Sequence, residues 1–131
     1  MRKDTTILIK QLFKYGIVGV FNTVITLATI FIVTHLLKNP YLANGIGYIL
    51  GFCNSFIMNR FWTFKSTGSV KKESFTFIII FGICYLIQLG IFYTLNAKLN
   101  LNTNWAQIIA MVFYTVINFL GNKFVTFKDQ Q

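Results

Sequence analysis

Four long runs of apolar residues dominate the sequence, and none of them contains Asp, Glu, Lys or Arg. An α-helix needs roughly 20 mostly apolar residues to cross a bilayer, and each run is about that long. The runs are Tyr15–Leu37, Tyr41–Met58 with an aromatic extension to Phe64, Phe75–Ala97, and Leu99–Asn122 with a similar extension to Phe127. Because the connections are short, consecutive helices are expected to be antiparallel. The sequence therefore predicts an all-α integral membrane protein with four transmembrane helices.

The net charge of +9 is distributed unevenly between the connecting segments. A nucleic-acid-binding protein would carry its basic face on a soluble fold, whereas these charges avoid the apolar runs, so no nucleic-acid partner is expected. Two basic residues, Lys38 and Lys98, lie in the first and third loops. The other ten are Arg2, Lys3, Lys10, Lys14, Arg60, Lys65, Lys71, Lys72, Lys123 and Lys128. Since positive charge is retained in the cytoplasm, both termini and the middle loop are predicted to be cytoplasmic.

The sequence repeats itself with an offset of 63 residues. Residues 56–65 match residues 119–128 at six of ten positions, and the same offset pairs Asn39 with Asn102. Repetition of both helix-end and loop residues indicates a duplicated two-helix hairpin. Because each copy has an even number of spans, the two hairpins form a parallel repeat. The predicted organisation is a single domain, 1–131, made of repeat 1 (about 12–65), a cytoplasmic linker (about 66–74) and repeat 2 (about 75–128).

Small and polar residues recur at every fourth position of helices 2 and 4, which places them on one face of each helix. Close helix packing explains the glycine end of the helix 2 stripe. At the other end, Asn59 and Asn122 each precede a basic residue, and an amide beside a cation can bind phosphate and sugar hydroxyls together. The two stripes are Gly47, Gly51, Ser55, Asn59 and Thr63, and Ala110, Tyr114, Asn118, Asn122 and Thr126.

Four basic residues at the ends of helices 2 and 4 are candidate phosphate contacts. Arg60 and Lys123 lie inside aromatic runs, where a charge near the bilayer is costly and tends to be functional. Lys65 and Lys128 lie at the ends of those runs, where anchoring at the membrane surface is favoured over phosphate contact. The alternative for all four is that they only determine topology.

Polar residues also occur at the middle of the predicted helices. Asn22 and Thr26 in helix 1 and Gln88 in helix 3 would be costly in lipid without partners, so they are expected to face the bundle. There they either join helices or line a path for a polar group. Aromatic rings at the helix ends, Phe64 and Phe127 among them, are expected to anchor the interface and could stack on a sugar.

The sequence offers little to support catalysis. Its three acidic residues, Asp4, Glu73 and Asp129, are all predicted to lie in cytoplasmic segments outside the helices, so proton-coupled transport has no carboxylate within the membrane. We find no Ser/His/Asp set, no nucleotide-binding loop and no carboxylate pair for a divalent metal. Two cysteines and one histidine make no metal site. We therefore expect a protein that is not an enzyme and has neither a metal nor a cofactor.

Three segments together resemble the GtrA-like family of small polytopic membrane proteins. They are the run from Phe13 to Thr23 and the two endings 59–65 and 122–128, which share the pattern N-[RK]-x-[WV]-x-F. The similarity covers nearly the whole chain and is strongest to Gram-positive members that act in teichoic-acid glycosylation. The family motif falls on Asn22, Asn59, Arg60, Phe64, Asn122, Lys123 and Phe127, with Thr63 where a hydrophobic residue is usual.

The resemblance implies translocation of a polyprenyl-phosphate-linked monosaccharide across the bacterial cell membrane, from the inner to the outer leaflet, for glycosylation of a cell-surface polysaccharide or teichoic acid. The expected lipid-phosphate contacts are Arg60, Lys123, Lys65, Lys128, Asn59 and Asn122, and the expected substrate path or sugar contacts are Asn22, Ser55, Gln88, Asn118, Phe64 and Phe127. The alternative is a non-catalytic subunit that anchors or stabilises a membrane glycosyltransferase. A homo-oligomer is compatible with either function.

Overall fold

The computed structural model describes residues 2–128, and Asp129, predicted to be cytoplasmic, lies outside the described residues. Within that range the chain forms four α-helices, and three of them continue into a five-residue π-helical turn. The helices are α1 (Arg2–Leu37), α2 (Pro40–Met58), α3 (Val70–Tyr93) and α4 (Thr103–Gly121), and the first, second and third π turns are Asn59–Thr63, Thr94–Lys98 and Asn122–Thr126. This agrees with the predicted all-α class.

Short polar side chains cap the N-termini of three of the helices. The Asn39 side chain caps α2 by accepting a 3.1 Å hydrogen bond from the backbone N–H of Leu42, and Pro40 follows at a position that needs no donor. Ser69 and Asn102 cap α3 and α4 in the same manner. The starts of these helices are therefore determined by loop residues rather than by the apolar runs.

The π turns widen the ends of their helices. The Phe64 N–H donates to the Asn59 carbonyl at 2.9 Å, and the Phe127 N–H donates to the Asn122 carbonyl at 2.8 Å, so each bond spans five residues. These two turns are separated by the 63-residue offset of the sequence repeat. Lys65 follows the first turn with a φ of 51°, a left-handed conformation that redirects the chain.

Two helices begin earlier than the sequence predicts. α1 begins at Arg2 instead of Tyr15, and α3 begins at Val70 instead of Phe75. The prediction that Asp4 and Glu73 lie outside the helices is therefore wrong. An apolar run shows which part of a helix suits lipid, whereas capping and propensity decide where the helix begins. At 36 residues, α1 is about 54 Å long, well beyond the roughly 30 Å of a hydrocarbon core.

Three helical segments of the described chain are long and apolar enough to cross a membrane: Arg2–Leu37, Val70–Lys98 and Thr103–Thr126. α2 is less hydropathic because it contains Asn44 and Asn54 together with three glycines. Large apolar side chains are widely exposed on the helices, with Phe31 at 83 %, as expected for surfaces that contact lipid tails. Whether α2 forms a fourth span stays a prediction.

The chain divides into two compact units, unit 1 (Met1–Ser66) and unit 2 (Thr67–Gln131). In unit 1, α1 packs along α2 and contacts the first π turn. In unit 2, α3 packs along α4 and contacts the third π turn. Each unit is thus a helical hairpin whose first helix lies against the end of its second.

Small residues allow close approach within unit 1. A Cβ atom added at Gly47 would lie 2.7 Å from Ile30 Cγ1 and 2.9 Å from the Thr26 carbonyl oxygen, and one added at Gly51 would overlap the Thr26 hydroxyl. The glycine end of the predicted stripe is therefore where α2 approaches the backbone of α1. This supports the packing interpretation of that end.

Candidate functional site

Arg60 lies in the first π turn and is buried, with 6 % of its side chain exposed. Its guanidinium carbon is 5.6 Å from the centroid of the Phe61 ring, within the range of a cation–π interaction. Lys65, which the sequence grouped with Arg60, is exposed beyond the turn. Unit 1 therefore combines a buried cation with an exposed one at the same helix end.

Unit 2 repeats this arrangement. Lys123 lies in the third π turn with 9 % of its side chain exposed, and its ammonium nitrogen is 5.9 Å from the centroid of the Phe124 ring. Lys128, at the position equivalent to Lys65, is exposed. Burial thus separates Arg60 and Lys123 from Lys65 and Lys128, the two lysines for which the sequence favours surface anchoring.

Hydrogen bonds between side chains connect the polar stripe of unit 1. Asn59 Nδ2 donates to Ser55 Oγ at 3.3 Å, and Thr63 Oγ1 donates to Asn59 Oδ1 at 2.9 Å. Asn59 and Thr63 are buried and Ser55 is half-buried. The Asn59 amide therefore bonds to one helical turn on either side of it, across the point where α2 becomes a π turn.

The stripe of unit 2 forms an equivalent series of side-chain hydrogen bonds, with Asn118 at the position of Ser55. We call each series a ladder. Asn122 Nδ2 donates to Asn118 Oδ1 at 2.9 Å, and Thr126 Oγ1 donates to Asn122 Oδ1 at 2.8 Å, with all three residues buried. Because these amides are engaged within their own helix, the geometry supports a positioning role for them. Each ladder stabilises the turn that carries the neighbouring cation.

The aromatic residues that follow the first and third π turns each contact the first helix of their own unit. The ring centroids of Phe64 and Tyr15 are 6.1 Å apart with an interplanar angle of 58°, and those of Phe127 and Phe77 are 6.3 Å apart at 53°. All four rings are buried. The structure thus places Phe64 and Phe127, which the sequence offered as sugar contacts, in the packing of the hairpin ends.

The polar residues at the middle of the helices also have defined positions. Asn54 Nδ2 donates a 2.6 Å hydrogen bond to Asn22 Oδ1, joining α2 to α1, and both residues are half-buried. In unit 2, Asn118 in α4 and Cys84 in α3 are both buried. Gln88 is buried one helical turn beyond Cys84 on the same face of α3.

The structure adds three residues that the sequence reasoning did not place in the candidate site. Asn54 is the partner of Asn22, and Lys14 Nζ lies 3.4 Å from the Trp62 carbonyl oxygen and 5.2 Å from its ring centroid. Glu73 is buried in the first turn of α3. A sequence signal for Glu73 does exist, because an acidic residue shortly after a capping serine is typical of a helix start.

Within residues 2–128, no three His, Cys, Asp or Glu side chains are grouped so that they could hold a metal ion. The polar groups that the two hairpin ends offer are instead cations, amides and hydroxyls. Such groups bind phosphate oxygens and sugar hydroxyls rather than metals.

Comparison with known proteins confirms the family resemblance. Residues 14–127 match the family described as GtrA/DPMS, transmembrane domain. Cell wall teichoic acid glycosylation protein GtcA of Listeria monocytogenes is 27 % identical over 94 % of this chain and 88 % of its own length. The uncharacterized membrane protein YngA of Bacillus subtilis is 33 % identical over 92 % of this chain and 82 % of its own. The chain therefore belongs to the GtrA/DPMS transmembrane domain family and is a multi-pass bacterial membrane protein.

Proposed function

We propose that this protein translocates a polyprenyl-phosphate-linked monosaccharide from the inner to the outer leaflet of the bacterial cell membrane, for glycosylation of teichoic acid or another cell-surface polysaccharide. The relatives named for teichoic acid glycosylation support the pathway. The observation that carries the proposal is the burial of Arg60 and Lys123 at equivalent positions of the two π turns. Charges buried in a membrane protein are costly and tend to be functional, and Arg and Lys bind phosphate.

The proposal includes a topology of four spans in two parallel hairpins, with both termini in the cytoplasm. The distribution of basic residues supports this orientation, since ten of the twelve lie in the three segments assigned to the cytoplasm. α2 is about 28 Å long and continues into the first π turn, so it has the length of a span despite its polar residues. The buried cations then lie at the inner membrane surface, where a lipid phosphate is available.

In this mechanism each buried cation is a phosphate contact, and the Asn–Thr ladder beside it holds the π turn in place. The sugar passes along polar side chains that lie further from the turns, Ser55 and Asn22 in unit 1 and Asn118 and Gln88 in unit 2. The polyprenyl chain stays in lipid, which accepts it at no cost. Transport follows the gradient of lipid-linked sugar, maintained by consumption outside, and needs neither a cofactor nor a covalent step.

The direct test is reconstitution of the purified protein in liposomes that contain a synthetic polyprenyl-phosphate sugar. A membrane-impermeant reagent that modifies the sugar reports the fraction of the lipid-linked sugar that is exposed on the outside of the liposomes. Without protein only the outer-leaflet pool reacts, and with active protein the inner pool reacts as well. Arg60→Ala and Lys123→Ala should slow this exposure strongly. Lys65→Gly and Lys128→Ala are the matched controls, because each removes an exposed cation and glycine suits the left-handed backbone at Lys65.

Two results would contradict the translocation proposal. One is that wild-type protein leaves the inner pool protected, and the other is that the double variant Arg60→Ala, Lys123→Ala retains full activity. Deletion in cells separates translocation from the subunit alternative. Loss of a flippase makes lipid-linked sugar accumulate inside, whereas loss of a subunit that stabilises a glycosyltransferase reduces the synthesis of that lipid.

A further inference from the structure

Lys14 places an ammonium group against the first π turn. Its Nζ atom lies 3.4 Å from the carbonyl oxygen of Trp62 and 5.2 Å from the centroid of the Trp62 ring. A carbonyl at the end of a helix carries partial negative charge and attracts a cation, and the face of an indole ring does the same. Lys14 is half-buried in this position, whereas Lys10, one helical turn earlier in α1, is exposed. The contact therefore holds Lys14 at the turn that carries Arg60.

The charge of Lys14 is not neutralised by the groups that hold it. Both of its partners in the described part of unit 1 are uncharged. The single acidic residue in the sequence of unit 1, Asp4, precedes Lys14 by ten residues, which is about 15 Å along an α-helix. An ammonium has three N–H donors, and a hydrogen bond to one carbonyl uses one of them. Lys14 therefore retains two donors and a full positive charge with which to bind an anion.

The equivalent positions of unit 2 cannot form this contact. The 63-residue offset of the repeat places Phe77 at the position of Lys14, and the Phe77 ring is buried against Phe127. The same offset places Val125 at the position of Trp62. Neither a phenyl nor an alkyl side chain can donate a hydrogen bond to an anion. Beside its π turn, unit 1 thus has a cation that unit 2 replaces with an apolar ring.

A lipid phosphodiester has the chemistry that this ammonium recognises. Its two non-bridging oxygens share one negative charge and accept hydrogen bonds from a cation. Tryptophan side chains favour the headgroup region of a membrane, and the Trp62 ring is 36 % exposed at the end of unit 1 that the proposed topology places at the inner membrane surface. Because Arg60 is only 6 % exposed and Lys14 is half-buried, the ammonium is the more accessible of the two cations.

We propose that Lys14, held against the first π turn by Trp62, is a further phosphate-binding residue that contacts the phosphodiester of the lipid-linked sugar. This inference rests on the proposed function, because it takes that lipid as the ligand. The two repeats are then not interchangeable, since the binding that Lys14 contributes belongs to unit 1. An ordinary anionic phospholipid carries the same phosphodiester group, so the experiment must distinguish the two sources.

The test measures binding of a synthetic polyprenyl-phosphate sugar to the full-length protein in phosphatidylcholine nanodiscs. Lys14→Gln should weaken binding about tenfold or more, as expected for loss of a hydrogen bond between charged groups. Lys14→Arg, which keeps the charge, should retain most of the affinity, and Lys14→Met serves as a second neutral variant. Lys10→Gln is the matched control, because it removes an exposed cation from the same face of the same helix, and it should change the affinity less than about twofold.

An uncharged polyprenyl glycoside with the same sugar separates phosphate contact from a structural role. If Lys14 binds the phosphate, Lys14→Gln should bind this ligand as wild-type protein does, whereas a loosened turn would weaken both ligands equally and refute the inference. Phosphatidylglycerol binding to the same variants is the second arm. If Lys14→Gln weakens that binding and leaves the lipid-linked sugar unaffected, Lys14 contacts bilayer lipid instead of substrate, and the inference is overturned.

The outcomes also separate this inference from the proposed function. If wild-type protein does not bind the polyprenyl-phosphate sugar, the proposed function fails. If wild-type protein binds it and the neutral variants of Lys14 match Lys10→Gln, Lys14 is not a phosphate contact, while the proposed function stands on Arg60 and Lys123.

Discussion

Asn54 donates a 2.6 Å hydrogen bond to Asn22, joining the two helices of unit 1 through their amides. Replacing either residue with leucine leaves the other amide without this partner, so each single variant should lose about 1–2 kcal/mol of stability. The double variant Asn22→Leu, Asn54→Leu should recover part of that loss. Unfolding in mixed micelles of increasing denaturing detergent measures the difference. Strictly additive losses in the double variant would show that the two amides do not interact.

Among the glycines of α2, Gly47 comes nearest to a backbone atom of α1. In Gly47→Ala, the added methyl group would meet the Thr26 carbonyl oxygen at 2.9 Å, and a backbone atom cannot rotate away. The helices must therefore separate, at a cost of about 1–3 kcal/mol. Gly45→Ala is the matched control, since a Cβ there meets nothing within 4 Å. The same detergent titration should show a lower midpoint for Gly47→Ala alone, and equal midpoints would contradict the close packing of α1 on α2.

The sequence predicts the helices well where the loop residues match the ends of the apolar runs. α2 was expected at Tyr41–Met58 and is observed at Pro40–Met58, because an asparagine cap and a proline begin it. α1 and α3 extend further than expected, since polar residues such as Glu73 are good helix formers that hydropathy does not register. The π turns were not predicted, because the widened hydrogen bonds depend on packing that no periodicity shows.

The candidate site was predictable in residue type but not in burial. The repeated pattern identified Arg60 and Lys123 and ranked Lys65 and Lys128 below them, but only the structure shows that the first pair is buried and the second exposed. Glu73 escaped attention because a charged residue between apolar runs suggests an exposed linker. Its burial is a tertiary property that the local sequence does not contain.

The threonine hydroxyls at the ends of the π turns are expected to stabilise both the fold and the site. Thr126→Val removes the hydroxyl that donates to Asn122 at 2.8 Å while keeping the shape of the side chain. Loss of this buried bond should cost about 1–2 kcal/mol and, by loosening the turn that holds Lys123, should slow translocation. Thr23→Val is the control, because the Thr23 hydroxyl bonds to the Gly19 carbonyl on an exposed surface. If Thr126→Val has wild-type stability and wild-type transport, the ladder does not position Lys123.

Phe127 and Phe124 provide a matched pair of aromatic residues at the end of unit 2. The Phe127 ring is buried against Phe77, whereas the Phe124 ring is 54 % exposed. Phe127→Ala should therefore cost about 3–5 kcal/mol and Phe124→Ala far less, because only the first leaves a cavity. If Phe127 instead serves mainly as a sugar contact, Phe127→Ala will keep its stability and lose affinity for the lipid-linked sugar. Measuring detergent unfolding and lipid binding on the same two variants distinguishes packing from substrate recognition, and the buried ring contact predicts that stability is the property that changes.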